Sequence, residues 1–243
     1  ERKIIMHFYR TLMPIAAMTF DLDDTLYDNV PVMDKTEEET LAFIRQYDER
    51  FHHFTEHDVD AYKQPLLENN PDIFHDITQW RWLAAKNMLL DYGYSETKAQ
   101  QGADEIMAHF AYWRSRINVP NNTHHVLTQL AEKIPLIAIT NGNANPLSCG
   151  LGQYFTHILK AGPDGRSKPY PDMFDKAASL LKLPHQNILH VGDHLVTDVE
   201  GAVKSGLQAC WINLDNRSLF TEGETRVMPH IEITELAKLV ELI

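Results

Sequence analysis

Asp21 and Asp23 stand two positions apart in the run Phe20-Asp21-Leu22-Asp23-Asp24-Thr25. In an extended chain alternate side chains share a face, so these carboxylates would point the same way and repel each other. Gly192-Asp193 and Asp198 add further negative charge, and against them stand the Thr140 hydroxyl and the Lys168 ammonium. A hard divalent cation resolves such a repulsion. Mg2+ takes oxygen ligands and bridges one or two carboxylates to a substrate phosphate, which makes Asp21 and Asp193 the natural side-chain ligands. An aspartate in that setting is also a nucleophile that forms an acyl-phosphate, a role that suits Asp21. Asp23 beside it can protonate the leaving oxygen and then activate water. Thr140, Lys168 and the backbone N–H groups around Asn141, Gly142 and Asn143 can neutralise charge on the equatorial phosphoryl oxygens. The plain alternative is that acidic residues at strand ends are turn residues and helix caps, which suffices for Asp24 or Thr25. Asp, Thr/Asn and Asp at three separate strand ends, with a lysine between the last two, exceed what capping requires.

Those strand ends need strands. Apolar runs at residues 15–20, 136–139 and 188–191 each end in the polar residues just named, and read as buried parallel strands. Residues 157–160, 209–213 and 231–233 are further candidates. Amphipathic helices are expected at 122–132, 171–181 and 196–204, with Pro171 in a first turn. Strand and helix alternate, so the fold class is α/β, a doubly wound, Rossmann-like parallel sheet. From residue 30 to 119 that alternation fails. Helical patterns at 37–50, 58–67, 73–91 and 96–117 describe a bundle inserted after the first strand. In the third, Ile73, Ile77, Trp80, Ala84, Asn87 and Met88 mark the buried face, and Gly93 ends the helix. The expected domains are an α/β catalytic core of residues 1–29 and 120–243 and a helical cap of residues 30–119.

Charge and composition set limits. Over 243 residues, 34 acidic against 22 basic side chains give a net charge of −12. A field of that sign argues against a sequence-blind grip on nucleic acid while leaving room for a local phosphate pocket. The apolar stretches around Ile4-Ile5-Met6 and residues 13–18 fall short of the ~20 residues of a membrane span. Two cysteines, Cys149 and Cys210, build no disulfide framework, and the expected compartment is the reducing cytoplasm. Cys210 reads as a small core residue. Thirteen histidines include the pairs His52-His53 and His124-His125, which lack further ligand spacing and read as solvated helix positions.

With these residues in view, the chain resembles the haloacid dehalogenase superfamily, mostly Mg2+-dependent phosphatases. The first motif matches Phe20-Asp21-Leu22-Asp23-Asp24-Thr25-Leu26, the second Thr140, the third Lys168, and the fourth Gly192-Asp193 with Asp198. The resemblance implies Asp21 as nucleophile and Asp23 as general acid/base. It implies a metal held by Asp21, the backbone carbonyl of Asp23 and Asp193, with Mn2+ or another divalent ion able to replace Mg2+. Leu22, Asp23, Thr140, Asn141, Gly142 and Lys168 would contact the phosphoryl group, and Asp198 would help fix Lys168. Members that cleave carbon–halogen bonds lack an acid at the position of Asp23, so the resemblance implies a phosphatase. Stretches 19–29, 113–120, 138–144, 161–169, 188–193 and 205–212 are similar to a bacterial branch linked to riboflavin biosynthesis. That likeness implies 5-amino-6-(5-phospho-D-ribitylamino)uracil as substrate, with flavin mononucleotide (FMN) beside it. His194 departs from that branch, where a second Asp follows Asp193.

The partner expected is therefore a small phosphorylated molecule, not nucleic acid or membrane, and no pattern reveals the oligomeric state. Arg81, Arg114 and Arg116, with Trp82 and Trp113, are cap positions that can meet a phosphate or a flat ring. The rival readings are a phosphosugar mutase, a phosphatase of another sugar or nucleotide phosphate, and a phosphate-binding or receiver-like module without catalysis.

Overall fold

Strands whose side chains are apolar on both faces have only one stable setting, a sheet covered on either side. The computed structural model describes residues 6–215, 217–219 and 227–243. Its strands are β1 (Met6–Phe8), β2 (Ala17–Phe20), β3 (Leu136–Thr140), β4 (His157–Lys160), β5 (Ile188–Gly192), β6 (Gln208–Ile212) and β7 (Ile231–Ile233). Every residue of β2, β3, β5 and β6 is buried. The spatial order is β1-β7-β6-β5-β2-β3-β4, parallel throughout except for the β1–β7 pair. From β2 the chain runs outward through β3 to β4, then returns to the other flank of β2 at β5 and continues to β7. The reversal falls between β2 and β5, and ligands of open sheets bind at the carboxyl ends beside such a point. This is the doubly wound α/β fold expected.

The chain divides into two compact units. One comprises Glu1–Asp28, Asn118–Gly142 and Gly150–Ile243 and holds the sheet; the other comprises Asn29–Ile117 and Asn143–Cys149. The second contains α1 (Val30–Tyr47), α2 (Glu56–Asp60), α3 (Gln64–Asn69), α4 (Ile77–Asp91) and α5 (Glu96–Arg114). Residues 143–149 group with these helices, and the Asn145 N–H donates to Ser115 Oγ at 3.0 Å.

Several bounds differ from expectation for visible reasons. Helix α1 begins seven residues early because Pro31 sits in its first turn, where the missing N–H is harmless. The single helix expected at 58–67 is two: a Thr55/Asp58 capping box starts α2, and Pro65, unable to bond back to residue 61, starts α3 afresh. Helix α4 begins only at Ile77, where the Asp76 carboxylate caps the Gln79 N–H at 2.9 Å. Its buried stripe is Ala84, Ala85, Met88 and Leu89. Trp80 is half-buried rather than core, its indole N–H donating to Lys63 O at 2.9 Å. Gly93 follows the helix at φ +84°, as a terminating glycine should. Ile44, Phe51, Phe54, Met88, Leu89, Ala103 and Ile106 form the helical unit's core.

In the sheet unit, α6 (Asn121–Ala131), α7 (Asp172–Leu181) and α8 (Gly201–Lys204) accompany the strands. Pro171 precedes α7 as its cap rather than opening the first turn. Met173, Phe174 and Ala177 of α7 pack with Ala17, Ile137, Ile139, Ile188 and Trp211. The helix expected at 196–204 divides into a wide π-helical turn, Leu195–Glu200, and the short α8. Strand β6 starts at Gln208, whose buried amide exchanges hydrogen bonds with the Met13 backbone at 2.8 and 3.1 Å. Ile4 and Ile5 lie outside the described residues. Among the described residues no helix is long and apolar enough to cross a membrane.

Candidate active site

The register that pairs Phe20 with Val191 and with Ala138 sets the ends of β2, β5 and β3 side by side. Asp21 continues the pairing by one bond, its N–H donating to Val191 O at 2.9 Å. The chain then turns: Asp24 adopts φ +60°, and Leu22 O accepts from Thr25 and Leu26 N–H at 3.3 and 2.9 Å. Extended alternation therefore stops at Phe20, and Asp23 does not simply repeat the face of Asp21. Asp21 is buried, while half-buried Asp23 accepts a hydrogen bond from the Tyr27 hydroxyl at 2.6 Å.

Lys168 is the centre of the arrangement. Its buried ammonium donates to Asp21 Oδ1 at 2.7 Å, Asp198 Oδ1 at 2.6 Å and Ile139 O at 2.9 Å. Asn141 holds the lysine's backbone from both sides, accepting from Lys168 N–H at 2.7 Å and donating to Lys168 O at 2.9 Å. The side chain of Asn141 is thus a clamp on Lys168. Thr140 is buried at the end of β3, and its hydroxyl oxygen accepts from Gly142 N–H at 2.8 Å.

After β5 the chain delivers Asp193 and, from the wide turn, Asp198. Gly192 leaves room for this approach: a Cβ would lie 2.2 Å from Asp198 Cγ, so Asp198 would have to move. Asp198 Oδ1 also receives His190 Nε2 at 3.0 Å, and its Oδ2 receives His194 N–H at 3.1 Å. Exposed His194 caps the turn, its Nδ1 accepting from Val196 and Thr197 N–H at 3.2 Å each. An Asp can accept the same bonds, so the departure at this position leaves the turn intact. The Asp193 carbonyl accepts from Trp211 Nε1 at 2.9 Å and from Arg217 at 2.7 Å, which fixes its backbone. The Thr25 hydroxyl lies between two carboxylates, 3.1 Å from Asp21 Oδ2 and 3.4 Å from Asp193 Oδ1.

Burial pushes the Asp21 carboxyl well above its ordinary range; Lys168 pulls it back while Asp198 and Asp193 push it further up. Burial, with Asp198 and Asp24, pushes Asp193 up to about 6. Burial works against charge on Asp198 as well, but Lys168 and His190 hold it below the usual carboxylate range. Burial opposes the Lys168 ammonium too, and Asp198 and Asp21 outweigh it and raise its pKa. One ammonium is therefore shared by two carboxylates, Asp21 and Asp198, and no ion pair to Asp193 joins it among the described residues.

Among the described residues, the group of acidic, imidazole or thiol ligands close enough to share an ion is Asp21, Asp193 and Asp198, with one oxygen from each within 4.8 Å of the others. Asp198 is already engaged by Lys168, His190 and His194. Asp21 and Asp193 remain, an all-oxygen pair whose raised pKa values a hard cation would lower. The residues fit Mg2+.

The sequence reading missed Thr19, Thr25 and His190. His190 was legible only as a polar residue inside an apolar run, since its partner Thr19 is remote in the chain. The paired histidines take no part in the carboxylate cluster: His52 and His53 are exposed, and His124 Nδ1 lies 2.9 Å from the Tyr154 hydroxyl. Cys210 is buried and Cys149 half-buried, and the Cys149 thiol donates to Pro146 O at 3.5 Å. In the helical unit, Arg81 pairs with Glu37 at 2.6 Å, Trp82 donates to Asp104 at 2.7 Å, and Arg116 donates to the Tyr112 hydroxyl at 2.6 Å. Arg114 is buried, and Lys35 Nζ lies 5.6 Å from the Trp113 ring centroid.

A sequence model of haloacid dehalogenase-like hydrolases matches residues 15–206. The chain is 51% identical to the 5-amino-6-(5-phospho-D-ribitylamino)uracil phosphatase YigB of Escherichia coli (strain K12), over 98% of this chain and 100% of that protein. It is 27% identical to the N-acylneuraminate-9-phosphatase of Mus musculus, over 96% of this chain and 95% of the other. The crystal structure of a 2-haloacid dehalogenase from Pseudomonas syringae pv. Tomato DC3000 superposes with a TM-score of 0.88 at 31% identity, covering 94% of this chain and 97% of that one.

Proposed function

The chain belongs to the haloacid dehalogenase-like hydrolases, and on that premise we propose that it hydrolyses a small phosphomonoester through an aspartyl-phosphate. Asp21 Oδ attacks phosphorus and displaces the alcohol, whose oxygen takes a proton from Asp23. Asp23 then accepts a proton from water as that water attacks phosphorus, releasing inorganic phosphate and restoring the Asp21 carboxylate. Lys168, the Thr140 hydroxyl and the backbone N–H groups at Leu22, Asp23, Asn141 and Gly142 neutralise the phosphoryl oxygens. Asp198 tethers Lys168. Asp21, the Asp23 carbonyl and Asp193 hold Mg2+, or Mn2+ in its place, which supplies countercharge to the phosphate.

One observation carries the reaction: a buried lysine, itself anchored by Asp198, lies 2.7 Å from Asp21 Oδ1 at the sheet's switch point. Its ammonium opposes the burial that pushes the Asp21 carboxyl upward. The substrate rests on the relative at 51% identity, whose name supplies 5-amino-6-(5-phospho-D-ribitylamino)uracil; FMN comes second. Residues 1–29 and 120–243 then serve as catalytic core, residues 30–119 as cap, and the working compartment is the cytoplasm. The structural neighbour at 31% identity favours dehalogenation as the second reading, and the acid at Asp23 weighs against it.

Phosphate release from the ribitylaminouracil phosphate, FMN and sugar phosphates, with and without Mg2+, tests this reading beside Asp21→Asn. The expected result is metal-dependent release, fastest on the ribitylaminouracil phosphate and abolished in Asp21→Asn. Metal-independent turnover or an active Asp21→Asn overturns the mechanism. Halide release from a 2-haloacid favours the dehalogenase, and phosphate moved between hydroxyls without release favours a mutase.

A further inference from the structure

Thr19 of β2 and His190 of β5 are direct cross-strand partners, and both are wholly buried. The Thr19 hydroxyl lies 2.8 Å from His190 Nδ1, and His190 Nε2 lies 3.0 Å from Asp198 Oδ1. The ring also meets Phe174 edge to face, with centroids 5.0 Å apart, so its plane is fixed from a third side. The proton positions follow from the partners. Asp198, bound to the Lys168 ammonium at 2.6 Å, is a carboxylate and only accepts, so Nε2 carries a hydrogen. Among the described residues His190 Nδ1 is the hydrogen-bond partner of the Thr19 hydroxyl. If Nδ1 also carried a hydrogen, the Thr19 hydroxyl proton would be buried without an acceptor, and a second cation would face Lys168 across one carboxylate oxygen. Nδ1 therefore accepts, and the ring is neutral. Burial and the neighbouring ammonium hold the imidazole below its ordinary range, in the same direction.

We propose that His190, a neutral imidazole whose Nε2–H is set by Asp198 and whose Nδ1 accepts from the Thr19 hydroxyl, is a positioning residue for phosphoryl transfer that pins Asp198 Oδ1 and so aims the Lys168 ammonium at Asp21. The chain Thr19–His190–Asp198–Lys168–Asp21 joins β2 to itself through β5, the wide turn and the Lys168 loop. A neutral imidazole donates to Asp198 without adding charge, so the carboxylate's full charge is left to Lys168. The substrate need not touch any of the first three residues. This assignment rests on the phosphatase reading for its kinetic consequence, while the tautomer stands independently of it.

Two-bond proton–nitrogen NMR near neutral pH reads the His190 tautomer in wild type, Thr19→Val and Thr19→Ser. Phosphate release from the same proteins reads kcat and KM. Wild type is expected to show the Nε2–H pattern. Thr19→Val, of the same shape but without the hydroxyl, is expected to keep the Nε2–H pattern while the Nδ1 resonance moves as that nitrogen loses its donor, with a kcat about tenfold lower and KM within about twofold. Thr19→Ser is expected to restore both readouts. An Nδ1 resonance and a kcat that fail to move together overturn the assignment. A wild-type ring protonated on Nδ1, or on both nitrogens, overturns it whatever the variants do, including a Thr19→Val protein that fails to fold. If wild type shows the Nε2–H pattern but no phosphate release, the phosphatase reading fails and the tautomer does not.

Discussion

Each proton of the Lys168 ammonium has an acceptor, two of them carboxylates that share its burial. Removing the charge while keeping the shape, as in Lys168→Met, leaves Asp21 and Asp198 without their counterion. Breaking a buried pair from one side typically costs about 3–5 kcal/mol. Urea unfolding should therefore show a loss of that order, and phosphate release should fall by at least about a hundredfold at any Mg2+ concentration. An unchanged unfolding midpoint would mean that the two carboxylates take up protons without strain. Asn141→Ala acts on the same lysine through its backbone. It removes hydrogen bonds at 2.7 and 2.9 Å from the Lys168 N–H and C=O, for a smaller loss of about 1–3 kcal/mol. If Asn141 served only the phosphate, the variant would alter KM and leave the unfolding midpoint in place.

Elements bring these residues to one place through contacts of which only some are local. Strands β2, β3 and β5 announce themselves as unbroken apolar runs ending in Asp, Thr and Gly-Asp, so the sheet and its loaded carboxyl edge were legible in the sequence. Strand β1 was not, because three residues at a sheet edge pair with β7 from the far end of the chain. The Asp23 turn was also missed, since a left-handed Asp24 leaves no periodic trace. His190 looked like one more strand residue because its meaning depends on Thr19 and Asp198. The end of β5 offers a test at this scale. A methyl at residue 192 would sit 2.5 Å from Asp198 Cβ, and Asp198 is held by Lys168, His190 and His194. Gly192→Ala must push that carboxylate aside. Overpacking of this kind costs about 1–3 kcal/mol, so thermal melting should move down and activity should fall with it. Wild-type melting and turnover would show that the wide turn yields freely.

Proton linkage joins opposite ends of the sheet in a single stability profile. His230 holds the N-terminal strand in place: its carbonyl accepts from Tyr9 and Arg10 N–H, its N–H donates to Ala209 O, and its Nδ1 accepts from Ala209 N–H at 3.1 Å. Burial, with Arg10 beside it, lowers its pKa from 6.5 to about 4. Between those values the unfolded chain binds the extra proton, so this group makes stability rise with pH and fall as pH drops from about 6.5 to about 4. Asp193 does the reverse. Its pKa is raised from 3.8 to about 6 in the fold, so the native state holds the extra proton and stability falls as pH rises through that window. In metal-free protein the two slopes oppose each other over nearly the same interval. His230→Asn, which keeps an acceptor for Ala209 N–H, should expose the downward slope of Asp193. Asp193→Asn should expose the upward slope of His230. Excess Mg2+ competes with the proton at Asp193, so wild type with Mg2+ should follow the Asp193→Asn slope, and the stabilisation by Mg2+ should grow as pH rises through about 6. Urea unfolding across that range, in chelator and in Mg2+, checks all three. Parallel profiles for wild type and both variants in chelator would remove these two residues from the pH dependence, and profiles that Mg2+ leaves unchanged would remove Asp193 from the metal site.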